Sequence, residues 1–250
     1  MTTPQTVAGT APAPKSLVAR FIGVLTSPRD TFTSVVAHPK WFGMLAVTAL
    51  IVALFTALPL TTEAGRQATL DMQIESMKSM GFQVNDQMYE AMEKGKARMP
   101  YTTGISVLVI APIMAVIIAG ILFAVFNAAM GGEASFKQVL AVVVHAGAFT
   151  CGVVFALSSA LLGSINYVRG TALTSVANLG AALPMLEERS FLASLLGAVD
   201  VFMIWYMLVL AIGLGVLYKR RTQPIALTFL SVYAVIAIAV AFFKSRAGGA

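Results

Sequence analysis

The sequence predicts an all-α integral membrane protein, a five-helix transmembrane bundle with amphipathic surface helices, and three observations carry that prediction. Five apolar runs, at 41–60, 106–130, 138–162, 194–218 and 224–243, are each 20 to 25 residues long. Roughly 20 helical residues at 1.5 Å each cross a hydrocarbon core ~30 Å thick. None of the runs carries a polar stripe wide enough to face water. The composition agrees, since 58% of the 250 residues are hydrophobic and only 11% are charged, which leaves little soluble mass. Lipid offers the backbone no hydrogen bonds, so each run must pair its own amides as a helix.

The formal charge of +6 belongs to residues at the ends of the runs, where Lys and Arg meet anionic headgroups. A membrane surface accounts for it better than nucleic acid does. Cys151 is the only cysteine and lies inside an apolar run, so a disulfide framework and a cysteine-based metal site are both ruled out. No metal and no cofactor is expected.

Residues 1–15 are rich in Thr, Pro, Ala and Gly and read as a disordered tail. The membrane domain then occupies 16–243, with a short tail at 244–250. Leu17, Val18, Phe21, Val24 and Leu25 recur at helical spacing, so 16–38 is expected to form interfacial helices. Ser27 followed by Pro28 marks the start of the second of these, and Pro39 its end. Lys40 and Trp41 then anchor the first span at headgroup level.

The 61–104 segment holds six acidic and five basic residues. Leu70, Ile74 and Met77 share a helical face and Gly81 divides the segment, which predicts an extramembrane helical hairpin lying over the bundle. Six of the 13 methionines fall there. A thioether copper site is conceivable, but adaptable packing is the commoner use of such methionines. The connections 131–137 and 219–223 are short enough to force two tight antiparallel hairpins, the second with Thr222 as cap and Pro224 at the first helical position. An apolar stretch at 171–186, broken by Asn178, Gly180 and Pro184, is too short for a span and reads as interfacial or re-entrant.

Three intramembrane polar residues are candidates for function. Asp200 lies six positions into the fourth run, where an acid needs a partner or water. It shares a face with Ala193, Gly197, Ile204, Met207, Ala211 and Gly215, and small residues permit close helix approach. A carboxylate that pairs helices is therefore the leading reading, and a titrating transport group the alternative. His145 adjoins the stripe Ala148, Gly152, Ala156 and Ser159, and reads as a hydrogen-bonded packing residue rather than a metal ligand. Asn127 beside Gly120, Ala124 and Ala128 reads as interhelical glue, and Pro112 as a kink in the same span.

Ser158 and Ser159 are the intramembrane serines weighed against His145 as base. At 13 and 14 residues along one helix they lie about 20 Å from it, which excludes a hydrolase pair. A relay from His145 to Asp200 is weak for a similar reason, because the two sit about 10 Å from opposite faces of the membrane. No phosphate-binding loop, paired-carboxylate signature or HExxH motif occurs, and no enzymatic activity is expected.

The stretch RFIGVLTSPRDTFTSVVAHPKWF at 20–42, the stretch LLGAVDVFMIWYMLVLAIGL at 195–214 and a five-span layout with a long first loop resemble the Yip-one family. These are membrane proteins first described as binding Ypt/Rab GTPases. The resemblance covers about 17–243 and implies a five-helix domain with a cytosolic N-terminus, no catalytic residues, and a role in membrane organisation or trafficking. A long N-terminal region with a Leu-Tyr-Gly-Pro type motif is absent, which counts against GTPase binding. The chain is more similar to short prokaryotic members, which implies a cytoplasmic (inner) membrane.

Charge near the span ends divides as six Lys and Arg on the N-terminal side and nine on the other. The triplet Lys219, Arg220 and Arg221, together with the resemblance, decides for a cytoplasmic N-terminus and an opposite C-terminus. The expected function is a scaffold or adaptor acting through the bilayer, other membrane proteins or a second copy of itself. The alternative is a small transporter or channel component that titrates Asp200. A transporter ordinarily shows repeated halves, which five spans do not supply.

Overall fold

The structure, a computed structural model, describes residues 13–79, 81–154 and 191–247. The stretch 171–186, Ala156, Ser158 and Ser159 lie outside them. The described residues form helices in the order α1 (Leu17–Thr26), α2 (Pro28–Ala37), α3 (Phe42–Ala57), α4 (Glu63–Ser79), α5 (Asp86–Gly95), α6 (Met99–Phe123), α7 (Phe136–Gly147), α8 (Phe191–Ala198), α9 (Val201–Leu217) and α10 (Thr222–Ala247).

Local chemistry sets the ends of these helices. Ser16 and Asn85 accept backbone N–H bonds in front of α1 and α5. Ser135 and Gln138 form a reciprocal capping box at α7. Ser27 holds the cap position of α2 without a side-chain bond, and Pro28 opens the helix. Gly81 and Gly131, with φ of +86° and +68°, make the turns after α4 and before α7 that a side chain would strain. A 3-10 turn ends α3, and π-helical turns extend α6 through Ala129 and α7 through Val154.

Three helical stretches are long and apolar enough to cross a membrane: Phe42–Thr61, Asp86–Ala129 and Thr222–Phe243. The second incorporates α5, so the helix expected from 106 begins 20 residues earlier. The third expected span appears as α7 and its π-helical turn, beyond which the run leaves the described residues. The fourth is divided, because Asp200 stands between α8 and the 17-residue α9 rather than inside one helix.

Val139 to Ala146 of α7 are all buried, so this helix is apolar on every side and forms the centre. Around it pack α6, α9, α1 and α2, with α3 against α6 and α10 against α8 and α9. Helix α2 packs into the bundle. Phe32 and Val35 are fully buried, wedged between α7 and α9. The approach is possible because Gly213 has no side chain where the Phe32 ring and Val142 meet it. Helix α1 keeps Val18 and Ile22 outward and turns Arg20, Gly23 and Val24 inward.

Ile113, Ile117 and Ile121 on α6, and Val232, Val235 and Ile236 on α10, stand about half exposed or more. Contiguous surface of this kind is a liability in water and the normal outer face in lipid. The protein is an integral membrane protein.

Candidate functional site

The N-terminal end of the bundle is built around one buried cation. Arg20 lies on the inward face of α1 and is 4% exposed. Its Nε donates to the Lys15 carbonyl at 3.0 Å and its Nη1 to the Lys40 carbonyl at 3.3 Å. One side chain thus gathers the chain before α1 and the chain before α3. Burial holds the guanidinium pKa below its ordinary value, and no carboxylate pairs with it among the described residues. Lys15, assigned to the tail by the sequence, is tied to α2 through its ammonium to Thr31 Oγ1 at 3.3 Å and its N–H to Ser34 Oγ at 3.4 Å. Ser34 donates in turn to the Ala13 carbonyl at 3.3 Å. Gly23 lies against Thr31 with no room for a Cβ.

His145 sits beneath this assembly, fully buried on α7 and within electrostatic reach of Arg20. Phe21, next to Arg20, meets Phe149 edge to face at 5.9 Å. A carbonyl only accepts, so His145 Nδ1 carries the proton it shares with the Ala141 carbonyl at 2.7 Å. Nε2 is buried without a hydrogen-bond partner among the described residues.

Asp200 is not an acid within a helix. Its Oδ1 accepts from the N–H groups of Phe202 at 2.7 Å and Met203 at 3.1 Å, which is the N-cap of α9. Tyr233 of α10 closes the same break, accepting from the Asp200 N–H at 2.9 Å and donating to the Ala198 carbonyl at 2.8 Å. The carboxylate meets backbone donors that any helix start leaves open.

Asn127 joins two hairpins. Its Nδ2 donates to the Ala134 carbonyl at 2.7 Å, and its Oδ1 accepts from the Tyr218 hydroxyl at 2.7 Å. Tyr218 stacks on Phe126 at 4.8 Å, and Arg220 donates to the Met130 carbonyl at 2.9 Å. Gln138 reaches the Val36 carbonyl at 3.2 Å, so both hairpin turns and the end of α2 share one end of the bundle.

The small residues singled out for packing divide sharply. Ala211 and Gly215 are buried on α9, and Gly152 is buried against Thr48 of α3. Gly120 has nothing within 4 Å of where its Cβ would stand, Ala124 is exposed, and Gly197 is exposed with open space around it. The buried stripe of α6 and its π-helical turn is Ala115, Ala119, Leu122 and Phe126, on a different face from Gly120, Ala124 and Ala128. Both stripes are apolar at helical spacing, and composition alone does not separate them.

At the opposite end, Lys96 pairs with Glu63 and Glu93, each at 2.7 Å, and Arg66 pairs with Glu63 at 2.7 Å. These bonds fasten α4 to the turn after α5. The Lys96 hydrogen bond, then that of Arg66, holds the Glu63 carboxyl below its ordinary pKa, and the same partnership with Glu63 and then Glu93 raises that of Lys96.

Sequence reasoning passed over Arg20, Tyr218 and Tyr233. The signal for Arg20 was available, since a lone cation in an apolar stretch, like a lone acid, demands a partner. No curated protein and no solved structure matches the chain. Residues 22–243 match the Yip1 domain. That match spans most of the chain and takes in the buried Phe32 wedge, the Asn127 junction and the Asp200 break, and the chain belongs to the Yip1 domain family.

Proposed function

We propose that the protein is a non-enzymatic membrane scaffold or adaptor that organises its surroundings through protein or lipid partners. What carries this reading is how its polar groups are used. Asp200 caps a helix and Asn127 ties two hairpins, so both residues serve to hold helices in place. The broad apolar faces of α6 and α10 are then the surfaces left for neighbours. The layout we propose has five spans, counting α7 with its continuation and α8 with α9, as in short prokaryotic-type members residing in the inner membrane. A cytoplasmic N-terminus is supported by Lys15, Arg20, Lys40 and the triplet Lys219, Arg220 and Arg221, which share the end defined by α2 and the two hairpin turns.

The break at Asp200 favours a second reading, because interrupted helices line substrate sites in many transporters. In that case Asp200 is a titrating carboxylate. Photo-crosslinkers at Ile117 and Val235 in native membranes separate the two. The scaffold reading expects a discrete protein adduct, either another membrane protein or a second copy. No discrete adduct, together with a proton flux in vesicles that Asp200→Asn abolishes, would establish the transporter instead.

A further inference from the structure

The cation at the N-terminal end has no counter-ion among the described residues. Residues 13–62 contain Lys15, Arg20, Arg29 and Lys40 and only one acid, Asp30. Asp30 points outward on the first turn of α2. Removing a guanidinium from water is costly unless its charge is compensated, and two backbone carbonyls compensate only in part. Arg20 spends Nε and one N–H of Nη1 on those carbonyls, and Nη2 makes no hydrogen bond among the described residues. Nη2 is not sealed from the outside, unlike the partnerless Nε2 of His145. It therefore keeps two N–H donors from which an oxyanion can accept. Lys15 stands on the same side, and its one side-chain bond, at 3.3 Å to a neutral hydroxyl, leaves two ammonium protons uncommitted. Lys40, whose carbonyl Arg20 grips, is followed by Trp41 at the start of α3, the level at which lipid phosphates lie.

We propose that Arg20 and Lys15 form a binding site for a phosphate group, the headgroup phosphate of an anionic phospholipid or free phosphate, at the N-terminal end of the bundle. The bound anion neutralises Arg20 and locks α1, α2 and the start of α3 to one another. The site is independent of the scaffold reading, since a chain that captures no protein can still hold phosphate.

The full-length protein in mild detergent is titrated with phosphatidylglycerol or phosphatidylcholine and examined by native mass spectrometry. In parallel, thermal unfolding is followed with inorganic phosphate against chloride at matched ionic strength. The expected result is a preference for the anionic lipid, reduced about tenfold to a hundredfold in Lys15→Gln, the size of losing one charge-assisted hydrogen bond. Lys94→Gln at the opposite end should leave the preference unchanged. Arg20→Gln should abolish it, and Lys15→Gln decides the matter if Arg20→Gln does not fold. Stabilisation by inorganic phosphate without lipid preference would assign the site to the free anion. Equal binding of the two lipids with no phosphate response, or a Lys15→Gln protein with the full wild-type response, would overturn the proposal.

Discussion

The hydroxyl of Tyr233 accepts from the backbone N–H of Asp200 at 2.9 Å while donating to the carbonyl of Ala198 at 2.8 Å. One phenol on α10 therefore satisfies both sides of the interruption between α8 and α9. Tyr233→Phe should leave a backbone donor and acceptor unpaired and cost about 1–3 kcal/mol. Thermal unfolding in detergent measures the loss, and no shift would mean that the break is held by other contacts.

Close packing around Gly213 gives a sharper contrast. A Cβ there would stand 2.6 Å from Val142 Cγ1 and 3.0 Å from the Phe32 ring, so Gly213→Ala should cost about 1–3 kcal/mol through overpacking. Gly120→Ala meets open space and should fall within about 0.5 kcal/mol of wild type. Equal effects in an unfolding assay would contradict the assignment of α6's buried stripe to Ala115 and Ala119.

These two glycines also show what the sequence could and could not reveal. Fold class was legible because span length and backbone satisfaction leave helices as the solution, and the turns at Gly81 and Gly131 follow from glycine's freedom at positive φ. Which stripe of α6 faces inward was not legible, since Gly120 and Ala119 are adjacent small residues and only the neighbours decide. Thr31 and Ser34 of α2 are polar yet buried, and Lys15 and Ala13 supply their hydrogen bonds. In the sequence Asp200 interrupts a continuous apolar run with no sign of a helix end. Its oxygen instead competes successfully for the amides of Phe202 and Met203, the habit that makes Asp a good N-cap.

The Glu63 and Lys96 pair should make the position of α4 depend on pH. Glu63 has a lowered folded-state pKa, so its stabilising contribution is present above the ordinary value of 4.5 and is lost as pH falls through the lower one. Lys96 is raised, so its contribution is present below 10.5 and is lost as pH rises beyond that value. A spin label at residue 78 should gain mobility in both directions. In Glu63→Gln the acid-side change should vanish, and a label that mobilises identically in the variant would assign the effect elsewhere.

Reporter fusions at residues 10 and 248 test the arrangement of spans. An odd number of spans with Lys219, Arg220 and Arg221 inside requires opposite sides, the N-terminus cytoplasmic. Both reporters active on one side would remove the five-span layout, and a clean inversion would remove only the orientation.

The most direct test of the scaffold reading replaces Asp200 in two ways within one genetic background and measures folding, partner capture and complementation of a deletion. Asn retains N-capping ability without ionising, whereas Leu removes the cap at a cost of about 1 kcal/mol. The account predicts that Asp200→Asn folds, captures its partners and complements, while Asp200→Leu is weakened in assembly. A well-folded Asp200→Asn protein that captures its partners yet fails to complement would contradict the account and point to a carboxylate that must titrate.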